Sequence, residues 1–346
     1  MSEKKLFNYV VGNPPYQNEL TGDSNTATPT YNTFMDEAYR VSDVVELITP
    51  ARFLFNAGYT PKEWNQKMLN DEHFKVLYFT PNSAEIFKDV DIKGGVAITY
   101  RDQNQNFGAI GVFTRFPEMN SILHKILEHK PFSSLTNVIV TSFAYHYSEI
   151  MYKENPQLKG RSSKGHAYDL QSNTFSVFPE LYSDSKQDGS DCIRILGREG
   201  NSRCWKYIKR RYVNDVSNLD SYKVFYAKAT GKGEFGETLP DAIIGEPGDG
   251  ATVTFISIGS FTTLDEANNC AKYTKTKFAR TLLSVLKVTQ DNTPSKWKYV
   301  PLQDFTPSSD IDWSKAVHEI DLQLYRKYGL DENEIDFIET HVKEMA

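Results

Sequence analysis

Two adjacent prolines, Pro14 and Pro15, follow the apolar and aromatic run Leu6-Phe7-Asn8-Tyr9-Val10-Val11, with Gly12 and Asn13 between. A proline has no amide hydrogen to give a sheet and its φ is fixed, so a strand that reaches such a pair has to end there. The run reads as a buried strand, and Gly12 is free to turn at its end. In an open α/β sheet, ligands bind beyond the C-terminal ends of the strands. Asn13-Pro14-Pro15-Tyr16 therefore falls where a site belongs. At average residue usage this tetrapeptide arises by chance in roughly one chain of this length in a thousand.

The residue types suit one kind of chemistry. The exocyclic amino group of adenine is a poor nucleophile, because its lone pair is delocalised into the ring. Acceptors aimed at its N–H bonds localise that pair. Asn13 offers a side-chain oxygen and Pro14 a backbone carbonyl, held in place beforehand by fixed φ angles and without a competing N–H. Tyr16 is placed to stack on the base. The plainer alternative is a Pro-Pro turn after a strand, with Tyr16 as packing.

With these residues in view, the chain resembles the adenine-N6 DNA methyltransferases, and within them the gamma-class methylases of type II restriction-modification systems. Val10 to Gln17 looks like their catalytic motif with its strand, and the polar stretch before Pro29-Thr30-Tyr31 looks like a mobile loop. Val44 to Leu54 resembles the next strand with its substrate-side loop, and Phe74–Phe79 and Gly94–Tyr100 resemble the antiparallel pair that closes the sheet. The resemblance implies an α/β fold: a partial doubly wound methyltransferase sheet (second half), then a mixed α+β target-recognition domain and a C-terminal helical tail. It implies domains at residues 1–115, 116–305 and 306–346. It also implies Asn13, Pro14, Pro15 and Tyr16 as catalytic residues, S-adenosylmethionine as cofactor and double-stranded DNA as substrate. Phe87 or Tyr100 is the expected second aromatic on the base, and Gln17 and Asn18 are expected at the pocket mouth.

In the gamma class a glycine-rich cofactor loop precedes the catalytic motif, whereas here only twelve residues do. Two downstream segments are formal candidates for it. Gly231-Lys232-Gly233-Glu234-Phe235-Gly236 follows a strand-like run, but leads into Leu239-Pro240 and not into a helix, as a phosphate-binding loop should. Phe255 to Phe261 precedes a helix with a single glycine, Gly259. The expectation is that S-adenosylmethionine binding is largely missing, so that the chain is the C-terminal half of a split enzyme or a truncated product. Its partner would then be an N-terminal methyltransferase half or another restriction-modification subunit.

Composition adds limits. At 346 residues, with 39% hydrophobic content, the chain has material for about two cores. No apolar run approaches a spanning length, which predicts a cytoplasmic protein without membrane contact. Cys192, Cys204 and Cys270 lack metal-ligand spacing and read as reduced, buried thiols, and the histidines form no ligand cluster, so no metal is expected. The formal charge of −6 opposes nucleic-acid binding as a whole, but its distribution matters more. Between Cys192 and Val213 stand Arg194, Arg198, Arg203, Lys206, Lys209, Arg210 and Arg211, with Trp205, Tyr207 and Tyr212 interleaved. From this run Arg198, Arg203, Lys206, Lys209, Arg210 and Arg211 read as a DNA footprint with stacking groups; a solvated basic helix face is the alternative. A second basic stretch, Lys159 to His166, reads as a mobile loop.

Periodicity predicts helices over Tyr31–Arg40, over Pro61–Asn70 with Thr60 as N-cap, and near Met119–Glu128. A long helical stretch is expected over Leu264–Val288. Glu319–Tyr328 reads as a helix ended by Gly329, and Asp331 with Glu334 as a capping box for a last one, Glu332–Lys343. Other functions stay open on the sequence: a non-catalytic DNA-binding or specificity component with an idle motif, or an amino-group methyltransferase acting on protein glutamine or RNA. No nuclease triad is legible, and cleavage is expected on another polypeptide.

Overall fold

A computed structural model describes residues 5–17, 28–56, 59–88, 92, 94–186, 189, 191–200 and 202–345; Asn18 and the polar stretch after the motif lie outside them. The chain divides into two compact units, residues 1–121 and 122–346.

The first unit runs β1 (Phe7–Gly12), α1 (Tyr31–Val41), β2 (Ser42–Pro50), α2 (Lys62–Leu69), β3 (Phe74–Thr80) and β4 (Val96–Asp102). Its sheet has the order β1-β2-β4-β3. β1 and β2 are parallel, with Val10 opposite Val45, and α1 is the crossover that a parallel pair requires. β4 runs antiparallel to both β2 and β3. Side chains alternate along a strand, and in β2 Val45, Leu47 and Thr49 are buried while Val44, Glu46 and Ile48 are half-exposed. Tyr31 and Met35, one turn apart on α1, join Trp64 and Met68 of α2, Phe53 and Phe74 in one core with Val45 and Leu47. The Phe53 ring centre lies 5.2 Å from that of Trp64 and 6.2 Å from that of Phe74. Asp36 links the helices, accepting from Trp64 Nε1 at 3.0 Å and Lys67 Nζ at 2.9 Å.

Two expectations fail here. The first strand is not buried: Phe7, Tyr9 and Val11 are 57%, 44% and 69% exposed. They share one face by alternation, and of the run only Val10 packs on the core. Among the described residues, β1 is an edge of its sheet with no strand beyond it. A run that is apolar on both faces implies cover on both, and the described residues supply it on one. Nor is Thr60 the N-cap of α2. Pro61 holds that position, and the Thr60 hydroxyl donates instead to Asn65 Oδ1, at 2.7 Å.

The division between the units falls within α3 (Pro117–Glu128). The second unit continues with β5 (Ile139–Val140), the short helices α4 (Glu149–Glu154) and α5 (Thr174–Val177), then β6 (Cys192–Glu199), β7 (Ser202–Lys209), β8 (Tyr222–Ala227), β9 (Ile243–Gly245), β10 (Asp249–Ala251) and β11 (Phe255–Phe261). Four helices close it: α6 (Leu264–Lys275), α7 (Lys277–Ser284), α8 (Val317–Lys327) and α9 (Glu332–His341). The strands form two sheets, β10-β6-β7 and β5-β11-β8-β9. Residues 306–346 fall inside this unit. Cys270 is buried as expected, but Cys192 and Cys204 are only half-buried. No helix among the described residues is long and apolar enough to cross a membrane.

The single long helical stretch is in fact two helices. Thr276 takes an extended ψ of 147°, accepts from the Ala279 amide at 3.1 Å and caps α7. The first two amides of α7, Lys277 and Phe278, donate to the Asp321 carboxylate of α8 at 3.0 and 2.8 Å. Burial nevertheless pushes the Asp321 carboxyl up to about 6, against the pull of those amides. The native state then keeps a proton that the unfolded chain has released, so stability falls as pH rises from about 4 to about 6. The expected loss is on the order of 3 kcal/mol. Denaturation of the wild type and of Asp321→Asn at pH 4.5 and 7 tests this: the variant should gain on the wild type as pH rises, and a constant difference would refute it. The capping box of α9 forms as expected, with the Asp331 amide donating to Glu334 at 2.8 Å and the Glu334 amide to Asp331 at 3.1 Å.

Candidate functional site

β1 and β2 are parallel, so the segments leaving their C-terminal ends emerge on the same side of the sheet: Asn13–Tyr16 after β1 and Ala51–Phe55 after β2. The motif is fixed from one side by Thr30. Its hydroxyl donates to the Pro15 carbonyl at 3.0 Å and its amide to the Tyr16 carbonyl at 3.2 Å. Thr30 stands at the N-cap of α1, where a threonine hydroxyl ordinarily accepts from the helix amides, yet it makes no such bond. The hydroxyl is committed to the motif instead. Among the described residues, nothing hydrogen-bonds the Asn13 carboxamide or the Pro14 carbonyl. Two acceptors are thus left open while the next two carbonyls along the chain are engaged. Thr30 is the residue that sequence reasoning missed, because a threonine before a helix already has an ordinary explanation.

Tyr16 is half-buried against the first core. Its ring meets that of Phe87 edge to face, with centres 6.4 Å apart and planes at 68°. Among the described residues its hydroxyl is buried without a hydrogen-bond partner, as are Asn32 Oδ1 and Thr49 Oγ1 of the same unit. Burial pushes the Tyr16 phenol up to about 12. Of the two candidate aromatics, the structure brings Phe87 to Tyr16 and places Tyr100 elsewhere. Tyr100 stands on β4 opposite Glu46 and Lys75, with its ring centre 6.0 Å from that of Phe107 and the Lys75 ammonium 5.1 Å from its own. Gln17 is exposed and bridges to Pro29, next to Thr30.

In both candidate cofactor loops, backbone amides are already bonded to the chain's own carboxylates. In the Gly231–Gly236 loop, the Lys232 and Gly233 amides already donate to the Glu237 carboxylate, at 2.7 and 3.1 Å. Lys287 donates to that carboxylate as well. The loop's anion site is filled by the chain's own side chain. After β11, α6 opens with Asp265 and Glu266 in its first turn, and Glu266 accepts from the Thr262 amide at 3.1 Å. Negative charge at that terminus opposes the carboxylate of S-adenosylmethionine, but not its ammonium or sulfonium.

The basic run forms the β6–β7 hairpin and the turn after it, not a helix, and carboxylates engage most of it. Asp249 receives Arg194 through two bonds of 2.7 Å. Lys206 pairs with Asp184 at 2.6 Å and Glu199 at 3.3 Å, Arg210 with Asp220 at 2.5 Å and Arg211 with Glu154 at 2.7 Å. The Arg211 guanidinium beside Glu154 holds that carboxyl below the usual range. Lys209 lies 5.3 Å from the Tyr212 ring centre, and Tyr212 is buried. Arg198 and Arg203 stand opposite each other at the exposed end of the hairpin. The Lys159–His166 segment is irregular, but Arg161 pairs with Glu180 at 2.6 Å.

The Asn-Pro-Pro-Tyr motif, the two strands beside it and Phe87 all lie within residues 1–87, and those residues match the family model described as Eco57I restriction-modification methylase. A methylase domain of restriction-modification systems is therefore the class to which this part of the chain is similar. No curated protein matches the chain. Among solved structures, the type IIG restriction endonuclease BpuSI is similar at 8% identity and a TM-score of 0.33, over 90% of this chain and 48% of that one. The ATP-dependent Type ISP restriction-modification enzyme LlaBIII bound to DNA is similar at 12% identity and a TM-score of 0.21, over 73% of this chain and 24% of that one. The chain thus spans about half of the first and a quarter of the second.

Proposed function

We propose that this chain is the base-holding and DNA-contacting portion of a gamma-class adenine-N6 DNA methyltransferase of a restriction-modification system. The open pair of acceptors, Asn13 Oδ1 and the Pro14 carbonyl, carries this reading. They sit at the C-terminal end of β1 on a loop that Thr30 has already fixed. The target adenine leaves the duplex, as enzymes that act on a base require. Its amino group donates to both acceptors, which draws the nitrogen lone pair out of the ring, and Tyr16, supported by Phe87, contacts the base. The second unit supplies the recognition surface. S-adenosylmethionine is held by a partner polypeptide, which adds its own strand at the edge of β1; the exposed Phe7, Tyr9 and Val11 and the unpaired edge favour this.

Isothermal titration of the chain with S-adenosylmethionine, alone and with duplex DNA, tests the division of labour. No binding to the chain alone is expected, and micromolar binding would overturn the split. The acceptor pair has its own test. Thr30→Val keeps the side-chain shape and the amide bond to Tyr16 but removes the bond to Pro15. Methyl transfer by the complete enzyme should fall about tenfold in kcat with DNA affinity unchanged, the pattern of lost orientation. An unchanged kcat would remove Thr30 from this role.

A further inference from the structure

Arg198 and Arg203 are direct cross-strand partners in the β6–β7 hairpin. Like charges so placed are destabilising, and an anion between them relieves the repulsion. Both line a cleft of about 420 Å3 together with Lys228, Thr254, Phe255 and Asp291. Ring faces hold two of these cations. The Arg203 guanidinium lies 5.7 Å from the Phe255 ring centre, and the Lys228 ammonium 4.7 Å from that of Phe143. A ring face orients a cation without neutralising it. Among the described residues neither Arg203 nor Lys228 pairs with a carboxylate, in contrast to Lys206, Arg210 and Arg211 on the same hairpin and turn. Arg198 Nε donates to the Gly200 carbonyl at 3.0 Å, which anchors it at the hairpin end. Lys228 is fixed on both sides: its amide donates to the Thr254 carbonyl at 2.8 Å and its carbonyl accepts from the Asn292 amide at 2.7 Å. Asp291 is the lining carboxylate, and it accepts from the Thr293 hydroxyl at 3.1 Å.

We infer that this cleft seats a backbone phosphate of the DNA, with the arginines presenting their planar forks and Lys228 a point charge. The volume leaves room for the attached sugar. The inference rests on the reading of this chain as acting on duplex DNA, and deepens it by naming three cations of the footprint, one of them outside the basic run. Binding of a fluorescent duplex is measured by anisotropy from low to moderate salt, for the wild type, Arg198→Gln/Arg203→Gln, Lys228→Gln and the control Lys153→Gln, an exposed cation paired with Glu149 outside the basic run. The double variant and Lys228→Gln should each weaken binding about tenfold whatever the DNA sequence, with the log–log salt slope lower by about 1. The control should keep the wild-type slope.

A wild type that binds DNA while the cleft variants keep its slope overturns the cleft alone. So does a control that loses as much as they do. A wild type with no salt-dependent DNA binding overturns the DNA reading and the cleft with it. The free-nucleotide arm uses dAMP: saturable binding of dAMP that Arg203→Gln abolishes, with DNA binding intact, overturns the backbone assignment in favour of a small ligand. Tighter binding of an RNA duplex of equal length overturns the choice of DNA.

Discussion

Asn13→Ala should abolish methyl transfer by the complete enzyme, with a fall of roughly 10²–10³-fold or more in kcat, the cost of removing one preorganised group aimed at a reacting centre. The fold should not notice. Asn13 is exposed, and among the described residues its side chain has no hydrogen-bond partner to lose. Thermal melting and duplex affinity are therefore expected to match the wild type, so that lost activity reports on the amino group and not on folding. Asn13→Asp sharpens the test, since it retains an acceptor but brings a charge to the site. Tritium transfer to an adenine-containing duplex reads the result. Activity of Asn13→Ala within threefold of wild type would sink the proposal that Asn13 and Pro14 hold the reacting amino group.

Arg280→Ala should cost the second unit about 3–5 kcal/mol, because it opens a cavity at a buried position and removes four hydrogen bonds from a charged donor. Arg280 is 1% exposed on α7. Nε donates to the Lys275 carbonyl at 3.0 Å, Nη1 to Gly236 and Glu237 at 3.4 and 3.3 Å, and Nη2 to Lys343 at 2.5 Å. One side chain thus joins the end of α6, the glycine loop and the segment after α9. Burial pulls its guanidinium below the ordinary arginine value, with Asp321 acting against that shift. Denaturant unfolding measures the loss, and hydrogen exchange should quicken first around Gly236, Glu237 and Lys343. A loss under 1 kcal/mol with unchanged exchange there would show that the three segments hold together without it. A burial this complete also removes Arg280 from any DNA surface.

The features legible in the sequence were those whose cause is local. The prolines end β1 wherever the strand goes, and Asp331 and Glu334 form their capping box from residues three apart. The exposure of β1 was not legible, since a run that is apolar on both faces says what it would prefer to meet and not what it meets. The basic run misled for a similar reason. Its character depends on Asp184, Asp220, Glu154 and Asp249, carboxylates from outside the run that only the fold brings to it. Lys228 was invisible as part of a site because Phe143, the ring beneath its ammonium, lies far away in the chain. The break at Thr276 sits inside an apolar period that continues across it, so only the backbone reveals it.

The bare edge of β1 bears on how activity would scale with amount. If the cofactor arrives on a second polypeptide that pairs there, turnover follows the concentration of the pair and not of either chain. Specific activity should then fall on dilution below the dissociation constant of the halves. Long duplexes that bind both halves would restore it by raising their effective concentration. A cell making the two in unequal numbers would have its methylation rate set by the scarcer one.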